Sequence, residues 1–192
     1  MPGNKRCKWL NERNPRYVQY HDEEWGVPCH EDARLFEALM LEIFAAGLSW
    51  ETVLSKREAF RDAFDQWNLH KIASYGEKDV ERLMQCEGII RYRRKIEAVA
   101  HNANVALEIA HDFGSFDQYV WGFVNDKPIY DPDDVEATWK LTNGINEDLQ
   151  KRGMLWCGIG VVNSFAYAVG LVNGHQPDCK CYSGPYLGAL ID

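Results

Sequence analysis

Apolar residues between positions 31 and 46 recur at helical spacing: Leu35, Phe36, Leu39, Met40, Ile43 and Phe44. They predict a helix that Gly47-Leu48 interrupts. Ser49 then stands where an N-cap belongs, with Glu51 in the following turn and Lys56 and Arg57 later, so a second helix is expected from Trp50 to about Phe64. Asn68 predicts a cap for a short helix through Ala73, and residues 77–85 fit another, with Gly88 as its stop signal. From Arg91 to about His111, Ile96, Val99, Ala100, Ala103, Ala106, Leu107 and Ala110 form a longer helical stripe. Ser115 predicts a cap for a helix through Val124, and residues 126–134 read as a polar surface loop. A helix ends over residues 146–152, and Ile159 to Val172 reads as an apolar helix rich in small residues. No strand alternation of any length interrupts this pattern, so an all-α fold of about eight to ten short helices in a single domain, 1–192, is expected.

The polar positions that break the pattern carry the chemistry. Glu42 shares a helical face with Leu35, Leu39 and Ala46, a face that burial would normally claim. It is either a structural carboxylate bonded to backbone or to a core Tyr or Trp, or the floor of a ligand pocket. Arg91, Arg93, Arg94 and Lys95 open the long helix and read as a solvated charged face. Residues 1–30 concentrate Cys7, Trp9, Tyr17, Tyr20, His21, Trp25, Cys29 and His30 among few aliphatics, as a loop-rich arm lending side chains to a site would. Asn14-Pro15 starts a turn or short helix there, and Gly26-Val27-Pro28 ends one. Residues 153–158 form a glycine-bounded connector between two helices. It is either an ordinary αα-hairpin or a helix-hairpin-helix that aims backbone N–H groups at a DNA phosphate.

Composition sharpens this picture in three places. The chain is 46% hydrophobic and 26% charged, globular in kind, with no apolar run long enough for a membrane helix. The basic start has no apolar segment behind it, so a signal peptide is not expected and a cytoplasmic protein is. A net charge of −8 excludes a protein that coats nucleic acid non-specifically, though not one with a local basic face. The 7 Trp suggest either a stacking pocket or core filler.

The 6 Cys of a cytosolic chain point to metal or plain burial rather than disulfides. His175 and Cys179, four apart, supply half of a tetrahedral site. Cys7 and His21 can supply the rest and would tie the two ends of the chain together. Cys29, His30 and Cys181 compete for the same role. A set closed by four protein ligands leaves no open position, so such a metal would be structural.

Together these segments resemble the bacterial 3-methyladenine DNA glycosylase I family. The resemblance rests on Arg6-Cys7-Lys8-Trp9, residues 20–28 (YHDEEWGVP), Leu41-Glu42 with residues 46–58 (AGLSWETVLSKRE), and residues 79–84 and 88–96. It continues through residues 123–125, 149–158 (LQKRGMLWCG), 170–175 and 179–182, so it runs over essentially the whole chain. The resemblance implies a helix-hairpin-helix glycosylase fold, with that motif at about 143–172 and metal-binding termini at 1–30 and 173–182. It implies a structural zinc (Zn2+) on Cys7, His21, His175 and Cys179. It also implies a base pocket of Glu42, Trp50, Tyr20 and Tyr17, shaped by Trp9 and Trp25, in which Glu42 is the catalytic carboxylate.

By the same resemblance, Gly47 and Leu48 would face DNA at the gap left by the extruded nucleotide, and Gly153, Gly158 and Gly160 would meet the backbone. The implied activity is monofunctional excision of 3-methyladenine from double-stranded alkylated DNA in base excision repair, by a monomer that needs no membrane. The chain departs from the family pattern at Ile43-Phe44-Ala45, Ile159-Gly160, Asn163, Tyr167 and Gly174. Those departures motivate an alternative: a protein on the same fold that binds damaged or abasic DNA with altered catalysis.

Overall fold

The computed structural model describes residues 5–130 and 134–182. Among them ten α-helices surround one apolar core: α1 (Pro15–Glu23), α2 (Asp32–Ala45), α3 (Trp50–Ser55), α4 (Arg57–Ala63), α5 (Leu69–Ala73), α6 (Glu77–Gln85), α7 (Arg93–Phe113), α8 (Phe116–Gly122), α9 (Val135–Lys151) and α10 (Ile159–Ala168). The expected caps form. Ser49 Oγ accepts from Thr52 N at 3.3 Å, Asn68 Oδ1 from Lys71 N at 3.1 Å, and Ser115 Oγ from Gln118 N at 2.9 Å. Helix α2 is the axle. Leu35, Phe36, Leu39, Met40, Ile43 and Phe44 are all buried, and α10 and α7 pack against it.

Several elements differ from the sequence reading. The helix expected over Trp50 to Phe64 is two, because Lys56 turns the chain at φ −102, ψ 0 and its Nζ reaches the carbonyls of Glu87 and Gly88. Gly88 does not cap α6, whose C-cap is Cys86. A Cβ at Gly88 would lie 2.6 Å from that of Ala59, so the glycine is there for close packing. The helix expected to run from Ile159 to Val172 stops at Ala168. Gly170, at φ +78, passes so close to Val27 that a Cβ would sit 2.4 Å from its carbonyl carbon. Val172–Asn173 then becomes a strand paired in parallel with Ile129–Tyr130, a small exception to the all-α expectation. Residues 131–133 of the expected polar loop lie outside the described residues.

Lys95 corrects the picture of a fully solvated basic face. It is 9% exposed, and its ammonium donates to the carbonyls of Phe44 and Ala46, at 3.5 and 3.2 Å. A cation at these carbonyls satisfies the orphan acceptors at the C-terminus of α2 and complements its dipole. It also fixes where the Gly47-Leu48 turn leaves the core.

Candidate active site and metal centre

Glu42 sits near the C-terminal end of α2, where that buried face runs out toward solvent. Its carboxylate accepts no hydrogen bond and pairs with no cation among the described residues. Burial alone pushes its pKa up to about 8. Around it stand rings from four parts of the chain. Helix α1 gives Tyr17 and Tyr20, α3 gives Trp50, and the segments flanking α1 give Trp9 and Trp25. Tyr20 lies 5.4 Å from Trp50 between centroids, and Trp9 meets Trp25 edge-on at 4.7 Å. Helix α10 closes the far wall with Asn163, Ser164 and Tyr167, whose ring stacks on Trp25 at 5.9 Å and 8°. The open cavity that they line measures about 380 Å³. The six base-pocket residues expected from the sequence therefore come together; Ser164 was not anticipated, and nothing in its local pattern marks it.

A second cavity of about 580 Å³ shares Glu42 and Ser164 with the first and runs along the connector between α9 and α10. Its wall includes Trp156, Gly158 and Gly160. The connector starts with a tight C-cap. Met154 N bonds Leu149 O and Gly153 N bonds Gln150 O, at 2.9 and 3.0 Å, with Gly153 at φ +87. Side chains then clamp the backbone. Asn102, fully buried on α7, donates to Leu155 O at 3.0 Å and accepts from Leu155 N at 2.8 Å. Asn146 Nδ2 donates to Cys157 O at 2.6 Å, and His101 Nε2 lies 2.9 Å from Gly153 O. Sequence reasoning passed over Asn102; its signal was a polar residue set in the apolar stripe of α7. Gly47, at φ +89, and exposed Leu48 form the turn after α2.

Cys7, His21, His175 and Cys179 are all buried, with ligand atoms within 4.8 Å of one another. Cys7 Sγ and Cys179 Sγ lie 3.5 and 3.6 Å from His175 Nδ1, and Cys179 Sγ lies 3.7 Å from His21 Nε2. The S–N edge of a tetrahedron built on metal–sulfur and metal–nitrogen bonds of ordinary length is about 3.6 Å. The outer contacts orient the donors. His21 Nδ1 meets Asp22 Oδ1 and His175 Nε2 meets Trp25 O, both at 2.9 Å, which turns the other ring nitrogens into the cluster. Backbone N–H groups of Gln176 and Cys181 reach the two sulfurs at 3.4 Å each. Asp22, held well below the usual carboxylate range chiefly by hydrogen bonds from Arg6, also pairs with Lys180.

This buried cluster can hold a metal ion. Of the competing ligands, Cys181 sits just outside, its sulfur 3.7 Å from Asp22 Oδ1. His30 turns away to Asp117 at 2.9 Å, and Cys29 is not among the clustered ligand atoms. The cluster also braces the pocket: Trp9 meets the His21 ring edge-on at 5.3 Å, and Trp25 stacks on it at 6.2 Å.

An unpaired, mostly buried carboxylate walled by aromatic rings, beside a clamped connector between two helices and a Cys/His cluster, marks a helical protein with a ligand-sized pocket. Residues 9–182 match the methyladenine glycosylase family, and the chain belongs to it. It is 41% identical over 184 residues to DNA-3-methyladenine glycosylase 1 of Escherichia coli (strain K12), covering 94% of this chain and 98% of that one. A crystal structure of 3-methyladenine DNA glycosylase I superposes with a TM-score of 0.86 at 41% identity, covering 93% of this chain and 100% of that one. A structure describing 3-methyladenine recognition by the Staphylococcus aureus enzyme superposes at 0.84, with 35% identity over 90% of this chain and 94% of that one. No helix among the described residues is long and apolar enough to cross a membrane.

Proposed function

We propose that the chain is a monofunctional glycosylase that hydrolyses the N-glycosidic bond of 3-methyladenine in double-stranded DNA and leaves an abasic site, as a zinc-containing cytoplasmic monomer. The observation that carries the reading is Glu42, uncompensated at the floor of an aromatic pocket. A base methylated at N3 carries positive charge and a weakened glycosidic bond, so the enzyme must select more than it must force. Extruding the nucleotide costs a few kcal/mol, least for a damaged base. The rings of Tyr20, Trp50, Tyr17, Trp9 and Trp25 attract a cation by roughly 0.5–2 kcal/mol per contact. Burial favours the protonated form of Glu42 in the empty pocket. Arrival of the cation favours its ionised form, which then accepts from the exocyclic amine. Neutral adenine offers no charge to draw out the ionised form, so it gains neither the ion pair nor the attraction of the rings.

The duplex would be held at two places. Gly47-Leu48 fills the gap in the stack. The turn at Gly153 and the start of α10, which has no side-chain cap and no acid in its first turn, present N–H groups of Gly158 and Gly160 to a phosphate. Zinc suits the paired thiolates and imidazoles of the closed cluster and would brace Trp9 and Trp25 without touching the base. Incubating the protein with methylated duplex DNA and assaying for free 3-methyladenine tests the activity. No release by folded, metal-loaded protein overturns it. Tight binding to abasic DNA without release would favour the catalytically altered alternative, which the changes at Ile43-Phe44-Ala45 and Asn163 motivate. For the metal, elemental analysis is expected to give about one zinc per chain, lost in Cys179→Ser with a large fall in Tm; a metal-free native protein removes that part of the reading.

A further inference from the structure

Trp156 is the one non-glycine residue with positive φ in the connector between α9 and α10 (φ +62), and it is 45% exposed. A bulky side chain rarely adopts that conformation, which persists only where the surroundings impose it. Here Asn102 holds the preceding residue by both backbone groups, and Asn146 holds the carbonyl of the following one. The fold thus spends backbone strain to keep an indole outside the core. Its ring meets that of Tyr92, also exposed, edge-on at 5.9 Å and 83°.

Tyr92 is the N-cap of α7. Arg93 in the first turn of that helix is spent on Glu77, Glu81 and Glu97. Exposed Arg91 and Arg94 form no ion pair among the described residues. The first turn of α7 contains no acid, so these cations add to the positive end of its dipole, an arrangement that costs the helix stability. Lys95, one residue on, ties the same spot to the Gly47-Leu48 turn.

We propose that Trp156 and Tyr92, flanked by Arg91 and Arg94, form a second duplex-contacting surface, which grips the DNA beside the flipped nucleotide. The rings lie against sugar and base edges, and the arginines meet phosphates. The occupant is DNA because the surface is continuous with the hairpin and the Leu48 turn, and because it gathers unpaired cations on a chain of net charge −8. The inference rests on the glycosylase reading and extends its footprint to a third element, α7.

Trp156→Gly separates contact from structure, since glycine relaxes a positive φ. Binding to duplex carrying a stable abasic-site analogue is expected to weaken about tenfold, with Tm unchanged or raised and affinity for free 3-methyladenine unchanged. Tyr92→Ala should weaken duplex binding in the same direction. Arg91→Gln with Arg94→Gln should make the salt dependence of log Kd shallower by about two phosphate contacts. Wild-type duplex affinity in all these variants overturns the surface alone. A Trp156→Gly variant that loses stability and free-base binding together also overturns it, because Trp156 is then a structural prop. Wild type that neither binds the duplex nor releases base overturns both this surface and the reading beneath it.

Discussion

Two carboxylates on α2, barely more than a turn apart, have opposite surroundings. Glu37 is 3% exposed and fully engaged: Arg57 Nε reaches Oε1 at 2.8 Å, and Arg61 Nε reaches the same oxygen at 2.9 Å. Arg57 continues to Glu24 at 2.7 Å, so the charge is spread over a network joining α2, α4 and the end of α1. Glu42 is partly open to the cavity yet has no counter-charge, and desolvation raises its pKa to about 8. Burial is common to both; compensation is not. A buried carboxylate that is paired belongs to the fold, and one left unpaired inside a cavity waits for a ligand.

Removing each carboxylate in turn tests that contrast. The largest effect is expected at Glu37. Glu37→Ala leaves Arg57 and Arg61 without their partner and should cost about 3–5 kcal/mol of stability, read from denaturant or thermal unfolding. Folded Glu37→Ala protein should keep its affinity for 3-methyladenine; a selective loss of that affinity would erase the distinction. Glu42→Gln should do the reverse, lowering kcat/KM for 3-methyladenine release roughly a hundredfold, or about 2.7 kcal/mol of transition-state stabilisation. Duplex affinity should remain close to wild type, and a parallel collapse of duplex binding would make Glu42 structural.

The pH dependence is subtler and has a definite sign. The folded pKa of Glu42 lies above its ordinary 4.5, so the native state holds a proton that the unfolded chain has lost between pH 4.5 and about 8. Its contribution to stability therefore falls as pH rises through that window and is lowest above pH 8. Glu42→Gln removes this slope, and its Tm should exceed that of wild type by a margin that grows from pH 5 to pH 8.5. For the reaction, kcat/KM should climb with pH through a midpoint near 8 and level off only above it as the free enzyme ionises, and the climb should be absent in Glu42→Gln. Smallest of all, Arg57→Lys keeps the charge but loses the fork between Glu37 and Glu24, at a cost of about 1–2 kcal/mol with excision unchanged.

Local pattern alone determined a good deal. The helices, their Ser and Asn caps and the break at Gly47 follow from periodicity and short-range hydrogen bonding, which act within a few residues. The four-ligand cluster was legible as a count of donors with metal-site spacing at the chain ends. Its selection over Cys29, His30 and Cys181 was not, because distance and ring orientation decide which nitrogens face inward.

Tertiary structure alone decided the roles of like residues. Glu37 and Glu42 look alike in sequence, but α4 places two guanidiniums beside the first and none beside the second. Lys95 reads as one more surface cation, yet the end of α2 lies across from it and offers carbonyls. Asn102 interrupts an apolar stripe without explanation until the hairpin 53 residues away meets it. A glycine after α10 is a local stop signal, but that Gly170 must also leave room for the backbone of Val27 is not local. Sequence sets each segment's conformation and chemistry through neighbours along the chain; which carboxylate finds a partner, and which stays open to a ligand, depends on groups brought together only by folding.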